Sequence, residues 1–413
     1  MAHLQTPAAR TADVVIAGGG YVGLSLALAL ADAVPGVRVS VVDLRPPAES
    51  AGDPRASAIA AAARRMLETL GVWAALAPHA QPIVDMVVTD SRLDDVVRPV
   101  FLTFDGRTEA GEPFAHMVPN GRMVAAIAER AVARGVTVLA PDRVVDFQVE
   151  SEGVTVSLGS GAQLRTRLLV AADGVRSRLR AFAGIRTSTW SYGQSGIVTT
   201  IAHERPHDGR AEEHFLPSGP FATLPLTGNR SSLVWTERTD VADRLVRGDD
   251  LVFEVELVRR LGHHLGAVRV EGPRTAYPLG LTLARDFVKP RFALVGDAAH
   301  GIHPIAGQGL NLGFRDVAAL AEVLAETLRI GGDPGALDTL ETYERWRRFD
   351  TFQMAAVTDV LNRLFSNDLA PVRIARDVGL GLVDRLPRLK RYFIGEAAGS
   401  GRGLPRLLTG API

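Results

Sequence analysis

The stretch from Leu294 to Asp316 has the residue types and spacing of an anion-binding loop. A short apolar run ends in Gly296-Asp297, small residues follow, and a helix-forming run begins near Leu310. Glycines let backbone approach a ligand closely, and amides from Gly307 onward would stabilise negative charge at a helix N-terminus. Asp297 stands at the carboxyl end of the strand, where α/β sheets bind ligands. Alone, this pattern is compatible with many anion sites.

A second glycine-rich stretch, near the N-terminus, narrows the ligand to a dinucleotide. Gly18-x-Gly20-x-x-Gly23 follows an apolar strand and opens an apolar helix, and a second strand ends in Asp43. Glycines at these positions permit a tight turn against a pyrophosphate, and an acid about 20 residues further on binds ribose hydroxyls. The strand before the motif and the helix after it disfavour the alternative, a glycine-rich turn without a ligand.

Composition indicates a globular protein larger than one ordinary domain. The chain has 413 residues, 46% of them hydrophobic, and no net formal charge. The length favours two joined domains, and the neutral charge provides no general attraction to nucleic acid. The sequence contains no cysteine, which excludes disulfides, thiolate metal sites and cysteine nucleophiles.

The apolar run Val14 to Ala31 is uncharged and long enough to resemble a membrane span or a signal-peptide core. Three consecutive glycines interrupt it, and the strand-turn-helix unit already explains its pattern. We therefore expect the protein to stay in the cytoplasm.

Alternation of apolar and polar residues predicts the elements that position these loops. Pro82 to Phe104 reads as half-buried strands of a second sheet, and Ser195 to Leu281 as alternating strands with one helix, Leu251 to Leu265. The segment Asp53 to Trp73 reads as a loop followed by an alanine-rich helix. Two helices are expected near the C-terminus, Asn311 to Ile330 and Leu337 to Phe365.

Together these stretches resemble the class A flavoprotein monooxygenases, which include p-hydroxybenzoate hydroxylase. Leu168 to Ser177 is similar to the family's DG motif, which contains Asp173-Gly174. Within the family, the ubiquinone-biosynthesis hydroxylases are most similar. The segments that carry this narrower resemblance are Asp53 to Ile59, His214 to Pro220, Asn229 to Trp235 and His303 to Asp316. The likeness spans nearly the whole chain, fading in the first ten residues and the last dozen.

The resemblance implies FAD as the cofactor and NAD(P)H as a transient reductant, since only one GxGxxG motif is present. It implies catalytic roles for Arg55, which would lie against the flavin, and for His300 and Pro304 in the flavin loop. The cofactor-binding residues it implies, Arg55 among them, are Gly18, Gly20, Tyr21, Val22, Gly23, Asp43, Arg122, Asp173, Gly296, Asp297, Gly307, Gln308, Gly309, Leu310 and Asn311.

Three of these residues, and nearby Asn120, have structural alternatives. Arg55 could be a surface arginine near a helix start, and Asp173 could cap the helix that follows it. Asn120 or Arg122 could touch the flavin, or could simply belong to a helix cap.

The expected fold class is α/β: a Rossmann-like FAD-binding domain, an inserted and mainly antiparallel substrate sheet, and a C-terminal helical region. The FAD-binding domain is expected in three parts, the substrate domain in two, and the helical region last. In chain order, the predicted segments are 1–80, 109–190 and 285–335 for FAD, 81–108 and 191–284 for the substrate, and 336–413 for the helices.

Metal and hydrolase chemistry have little support. His300 and His303 form an H-x-x-H pair and His263-His264 adds two imidazoles, but no further ligands stand at the spacing of a metal site. No GxSxG elbow is present, so a serine hydrolase is not indicated. We predict no metal.

The resemblance implies hydroxylation of the ring of a prenylated phenol intermediate in ubiquinone biosynthesis, by molecular oxygen through a flavin hydroperoxide. Three alternatives stay open: a flavin-dependent reductase or dehydrogenase of a prenyl lipid, a hydroxylase of another small aromatic compound, and a flavin-binding subunit without activity. The sequence does not identify the ring carbon, the electron donor or the oligomeric state.

A prenylated substrate has a hydrophobic tail that stays in the lipid bilayer, so the enzyme has to reach the membrane or receive the lipid from a partner. The stretch Pro371 to Arg391 combines apolar residues with six basic and two acidic ones, a pattern typical of helices that lie on anionic membranes. We expect weak peripheral contact with the inner face of the membrane, with packing against the core as the alternative. The resemblance also leaves room for a homo-oligomer and for other ubiquinone-biosynthesis proteins as partners, with no nucleic acid.

Overall fold

The computed structural model describes residues 10–90, 93, 100–105, 108, 111–303, 308–366 and 403–413. Within these ranges the helices are α1 Tyr21–Ala33, α2 Ala61–Thr69, α3 Trp73–Leu76, α4 Asn120–Ala133, α5 Arg178–Phe182, α6 Thr239–Arg247, α7 Asp250–Leu261, α8 Gln308–Arg329, α9 Leu337–Phe365 and α10 Arg406–Thr409.

The strands of the same ranges are β1 Arg10–Thr11, β2 Val14–Ala17, β3 Val39–Val42, β4 Ala56–Ala60, β5 Gln81–Pro82, β6 Asp85–Asp90, β7 Val100–Asp105, β8 Ala115–Pro119, β9 Thr137–Leu139, β10 Val144–Val149, β11 Val154–Leu158, β12 Gln163–Thr166, β13 Leu168–Ala171, β14 Thr187–His203, β15 Arg210–Leu216, β16 Gly219–Leu226, β17 Arg230–Arg238, β18 Val268–Val270, β19 Thr275–Ala284, β20 Val288–Lys289, β21 Phe292–Leu294 and β22 His300–Gly301.

A mostly parallel sheet has the strand order β20-β21-β13-β2-β3-β9. The part of the protein built around this sheet, which includes the GxGxxG turn, is called the cofactor half below. Strands β2, β13 and β21 are apolar and buried along their whole length, as parallel strands covered on both faces must be. Helix α1 crosses from β2 to β3 and packs against α8 and α4. This is the Rossmann-like arrangement that the sequence predicted.

The register of this sheet brings the three sequence motifs to one edge. Ala17 of β2 pairs with Ala171 of β13, which in turn pairs with Leu294 of β21. The three strands are parallel, so the loops that follow them leave from the same edge. The GxGxxG turn, the DG motif and the Gly296-Asp297 loop are therefore neighbours.

A second, mainly antiparallel sheet runs in the order β22-β19-β14-β17-β16-β15-β6-β7, with β18 paired to β14. The β15–β6 pair is its parallel exception among the described pairings. Residues alternate between two faces, as in any strand. One face packs on α6 and α7, with Trp235, Phe221 and Phe253 at its core, and the other faces the cofactor half.

Two elements differ from the sequence-based expectation. Residues Ala56–Ala60 form strand β4, which pairs antiparallel with β8, instead of a loop leading directly into an alanine-rich helix. The second half of the chain also contains helix α6 before α7, where one helix was expected. In both cases pairing or packing with distant residues overrides the local pattern.

Helix α9 spans the predicted range, Leu337–Phe365, and packs along α8. The Tyr343 hydroxyl donates to the Leu294 carbonyl over 2.8 Å, which fixes α9 behind β21. The described part of the chain holds no helix that is both long and apolar enough to traverse a bilayer. The predicted membrane stretch Pro371 to Arg391 lies outside the described residues.

Candidate functional site

The turn between β2 and α1 requires glycine at two positions. Gly18 has φ +118°, and a Cβ added there would lie 2.2 Å from the Ala172 carbonyl oxygen. A Cβ at Gly23 would lie 2.0 Å from the carbonyl oxygen of Gly18. At Gly20, by contrast, no heavy atom of the described neighbours lies within 4 Å of an added Cβ. The first and third glycines therefore shape the turn, whereas the second keeps its outer side open.

The N-terminus of α1 is suited to an anion. No side chain caps the helix at Gly20, and its first turn contains no acidic residue. The amides at such a terminus attract a phosphate group. Asp43 sits beside the turn, where its carboxylate accepts hydrogen bonds from the amides of Gly19 (2.6 Å) and Arg45 (2.8 Å). Asp43 thus holds the loop and lies at the place expected for a ribose.

The second loop packs against the same helix. Gly296 has φ +60°, and a Cβ there would lie 3.2 Å from a methyl of Val22. A Cβ added at Gly313 of α8 would lie closer still, 2.9 Å from a methyl of Val22. Small residues thus let α8 and the Gly296 turn approach α1, which brings Tyr21, Asp297 and the first turn of α8 to one cavity.

Asp297 is the acid at the floor of that cavity. It is accessible through the open cleft, yet protein surrounds its carboxyl and this burial raises its pKa, against the opposing effects of His300 and Arg55. Among the described residues its carboxylate has no hydrogen-bond or ion-pair partner. An unpaired carboxylate in such a position is suited to accept hydrogen bonds from ligand hydroxyls.

His300 lies behind the loop and does not line the cavity. Its Nε2 is 2.5 Å from Asp316 Oδ2, and both side chains are fully buried. Asp316 also accepts from the Gly296 amide (2.9 Å) and from Arg347 Nε (2.8 Å). Burial opposes the charge of Asp316, but His300 and Arg347 hold its pKa below the ordinary value. His300 is therefore placed to hold the loop through Asp316.

Arg55 lies at the boundary between the two sheets. Its Nη2 is 2.6 Å from Asp53 Oδ2, and its guanidinium carbon lies 5.4 Å from the ring centroid of Tyr277 on β19. The arginine does not line the cavity, although its charge acts on Asp297 and Tyr21. It thus links the cofactor half to the antiparallel sheet.

Other predicted residues fall into different positions. Arg122 is exposed on the first turn of α4. Exposed Asp173 accepts from the Arg178 amide (3.2 Å), but the residue that caps α5 is Ser177. Asn311 lines the cavity, but its amide group donates to Ala58 and accepts from Ala60 of β4. Pro304 and Gly307, as well as the Gln308 side chain, lie outside the described residues.

The cavity has a volume of about 310 Å³ and lies between the cofactor half and the antiparallel sheet. Its walls are mainly apolar, with Ile83, Met86, Phe114 and Leu224 among them. The polar side chains facing it are Tyr21, Ser57, Glu213, Thr236, Asp297, His303 and Asn311. Mostly apolar walls with a few polar groups are typical of small-molecule sites.

Sequence reasoning did not identify Glu213, Thr236 or the buried Arg180. Arg180 donates to the carbonyls of Ala298 (2.7 Å) and Val175 (2.9 Å), joining the DG motif to the Asp297 loop. Glu213 could have been noticed, because it stands two residues from Ala211 and from Phe215 and so shares the apolar face of strand β15. The described residues contain no cluster of three or more His, Asp or Glu side chains arranged for a metal ion.

We expect Asp297→Ala to weaken FAD binding about tenfold to a hundredfold, since losing one buried hydrogen-bond partner costs about 1–3 kcal/mol. Flavin fluorescence during titration of the cofactor-free protein measures this loss. Asp286→Ala, which removes a carboxylate paired with Lys289 away from the cavity, is the control. Wild-type FAD affinity in a folded Asp297→Ala protein would contradict the role given to this acid.

Comparison with known proteins identifies the family. The family described as "FAD binding domain" matches residues 11–355. A ubiquinone hydroxylase of Rhodospirillum rubrum is 49% identical over 411 residues, which cover 98% of this chain and 94% of that protein. The 3-demethoxyubiquinol 3-hydroxylase of Escherichia coli is 34% identical over 393 residues, which cover 94% of this chain and 98% of that protein.

Solved structures share the fold. A p-nitrophenol 4-monooxygenase of Pseudomonas putida has a TM-score of 0.79 at 21% identity, covering 96% of this chain and all of that one. An aklavinone-11 hydroxylase, in a ternary complex with FAD and aklavinone, has a TM-score of 0.69 at 23% identity. The likeness covers 87% of this chain and 70% of that one. At such identities, these likenesses concern the fold alone.

The local geometry is compatible with an FAD site. The N-terminus of α1 is uncapped and open beside Gly20, and Asp297, unpaired among the described residues, faces the cavity. The family match extends over most of the chain, and both relatives align over nearly their full lengths. The chain belongs to the FAD-dependent aromatic monooxygenases, in the group that contains the ubiquinone-biosynthesis hydroxylases.

Proposed function

We propose that this enzyme hydroxylates the aromatic ring of a prenylated phenol intermediate in ubiquinone biosynthesis, using FAD, molecular oxygen and NAD(P)H. The observation that carries the proposal is the apolar cavity, whose floor is formed by Asp297 and the first turn of α8. A ring held there would lie directly against the cofactor-binding loops. The names of the two relatives, a ubiquinone hydroxylase and a demethoxyubiquinol hydroxylase, support the choice of substrate class.

Bound FAD supplies the redox chemistry that activates dioxygen. The protein's own contribution is to bind, orient and exclude water. Amides at the start of α1 would hold the pyrophosphate, Asp43 the ribose and Asp297 the ribityl hydroxyls. Amides of Gly309 and Leu310 would stabilise negative charge on the pyrimidine side of the flavin, as an oxyanion hole does. A Cβ at Gly309 meets no described heavy atom within 4 Å, which leaves space there for a ring.

Arg55 would act next to the flavin, where its charge is held in place by Asp53 and by the ring of Tyr277. His300 would act indirectly, by fixing the Asp297 loop through Asp316. Arg122 and Asp173 are further candidates for contacts with the cofactor or the reductant, since both are exposed. Pro304, Gly307 and Gln308 complete the proposed flavin loop.

The cavity has about 310 Å³, at the lower end of ligand pockets, which begin at about 300 Å³. With the flavin against Asp297 and Gly309, an aromatic headgroup would lie against the sheet side of the cavity. A long isoprenoid tail would have to extend beyond the cavity toward a membrane or a partner protein. We place the enzyme in the cytoplasm, in weak contact with the inner face of the membrane, and a homo-oligomer or other ubiquinone-biosynthesis proteins would be compatible with this arrangement.

We expect salt-sensitive binding to anionic vesicles that depends on Arg385, Arg388, Lys390 and Arg391 of the basic stretch. Each basic residue near such a surface contributes about 1 kcal/mol. Co-sedimentation of the wild type and of a variant with all four changed to Gln measures this, with equal FAD content as the control. Equal sedimentation of both proteins, or no response to salt, would instead indicate that the stretch packs on the core.

Deletion of the gene in its host, followed by mass spectrometry of quinone precursors, tests the proposed function. The mutant should accumulate a precursor that lacks one ring oxygen, and a plasmid copy of the gene should restore the quinone. An unchanged quinone profile after deletion would contradict the assignment, provided that no second hydroxylase gene is present in the host.

A further inference from the structure

We propose that Glu213 accepts the proton of the substrate's ring hydroxyl, with Thr236 as a second polar contact on the same wall of the cavity. This inference rests on the proposed function and assigns a residue of the antiparallel sheet to the chemistry. Both residues line the cavity from the sheet side, opposite the loop that carries Asp297.

Strand pairing sets the direction in which Glu213 points. Glu213 on β15 pairs with Ala222 on β16, and Ala222 pairs with Val234 on β17. All three residues line the cavity, so they share the face of the sheet that meets the cofactor half. The carboxyl group therefore stands among apolar side chains in the wall of the site.

Glu213 has no internal partner among the described residues, although it is only 5% exposed. The neighbouring acids differ in this respect. Glu212 points to the other face, where His264 and His214 lie 3.2 Å and 3.4 Å away, and Glu237 is paired with Arg260 at 2.9 Å. An unpaired buried carboxyl is costly to a fold and is most readily explained by a ligand that completes its hydrogen bonding.

Two further polar groups in the cavity are also unsatisfied within the described structure. The Thr236 hydroxyl and both ring nitrogens of His303 are buried without hydrogen-bond partners. Thr236 lies on β17 beside Val234, whereas His303 follows the Asp297 loop. Polar groups on both walls can thus meet an aromatic ring that carries oxygen substituents.

The proposed step is a reversible proton transfer. The O–H bond of the ring hydroxyl breaks, its electron pair stays on the ring oxygen, and the proton bonds to a Glu213 oxygen. The ring then has higher electron density at the ortho and para carbons, which favours attack on an electrophilic oxygen. As the new C–O bond forms, the O–O bond of the activated dioxygen breaks, and its second oxygen leaves with that electron pair to become water. The modified carbon then loses its hydrogen as a proton to water, and Glu213 returns its proton to the ring oxygen.

Titration of the cavity groups is consistent with this role. Burial raises the pKa of Glu213 to about 7, close to the value that suits a general base at neutral pH. Burial raises the pKa of Tyr21 to about 12 and lowers that of His303 to about 4. Among the described residues, Asp297 is the remaining titratable group that lines the cavity, and burial raises its pKa above the usual 3.8.

The test uses the FAD-loaded enzyme with a phenol that carries one prenyl unit at the ortho position. We expect kcat of the wild type to rise with pH through about 7 and then level off, because only the ionised carboxylate accepts a proton. Glu213→Gln should lower kcat about a hundredfold, lose this limb and release hydrogen peroxide in place of product. Glu213→Asp should keep part of the rate, since it keeps a carboxylate.

The matched control is Glu212→Gln, the same change one residue away on the opposite face of the sheet. It should leave kcat and its pH profile unchanged. Wild-type kcat and pH profile in Glu213→Gln would overturn the proton-transfer role while the proposed function stands. Absence of hydroxylated product from the wild type would overturn both.

A second readout needs no turnover. Folding raises the pKa of the Glu213 carboxyl from 4.5 to about 7, so the contribution of this group to the stability of the folded protein falls as pH rises between these values. The melting temperature of Glu213→Gln should therefore increase relative to the wild type between about pH 5 and pH 8. An equal difference in melting temperature at both pH values would show that Glu213 does not titrate in this range and would overturn the assignment.

Discussion

Gly20→Val protein is expected to fold as the wild type does and to lose its bound FAD. The backbone at Gly20, with φ −76° and ψ −179°, is extended, and an added Cβ meets no described heavy atom within 4 Å. Without FAD, the valine side chain therefore clashes with no described atom of the protein, and the variant should fold. Its side chain instead projects over the α1 amides, where a pyrophosphate must approach. A loss of about 3 kcal/mol or more, at least a hundredfold in affinity, is expected.

The ratio of flavin to protein absorbance and the far-UV circular dichroism spectrum measure this outcome. Gly52→Val is the matched control, because an added Cβ at Gly52 also meets no described heavy atom within 4 Å but lies outside the loop. Gly18→Ala is the contrasting variant and should fail to fold, given its positive φ and the contact of 2.2 Å. Normal FAD content in Gly20→Val would contradict the placing of the pyrophosphate at α1.

Asp316→Ala is expected to cost about 3 kcal/mol of unfolding free energy, because it removes a buried carboxylate from a network in which Arg347 keeps only Asp350 as an ion-pair partner. Asp316 is fully buried and accepts from Arg347, from His300 and from the Gly296 amide. Its loss therefore also frees the loop that carries Asp297. We expect a markedly lower denaturation midpoint and weaker FAD binding in the same variant.

Chemical denaturation of the FAD-loaded proteins, followed by circular dichroism, measures the first effect. Asp338→Ala serves as the control, since Asp338 is exposed at the start of α9 and, within the described part of the chain, its carboxylate accepts from the neighbouring Thr339 amide alone. A change in midpoint no larger than that of this control would mean that the Asp316 network does not hold the site together.

The parts of the fold that could be predicted from sequence are those with strong local signals. The GxGxxG turn follows from glycine spacing, and α9 follows from a long run without glycine or proline. Strand β4 could not be predicted, because Ala56–Ala60 has the composition of a helix and becomes a strand only by pairing with β8. Helix α6 is short and charged, and it is stabilised by Ala242 and Leu245 packing on the sheet.

The candidate site was predictable to a similar degree. Asp297 and the start of α8 were identified because glycines surround them in the sequence. The hydrogen bond between His300 and Asp316 was not predicted, because the two residues come together only when the loop folds back onto α8. Glu213 could have been noticed as an acid in line with Ala211 and Phe215 on β15, but only its pairing with Ala222, which pairs with Val234, shows that it faces the cavity.

The most direct test of the central assignment is mass spectrometry of the product formed under isotopically labelled dioxygen. Purified enzyme with FAD and NAD(P)H should convert an ortho-prenylated phenol into a product that contains one labelled oxygen atom on its ring. Omitting the reductant should prevent the conversion. A product that has lost or gained hydrogen without any labelled oxygen would contradict the account and identify a dehydrogenase or reductase on the same fold.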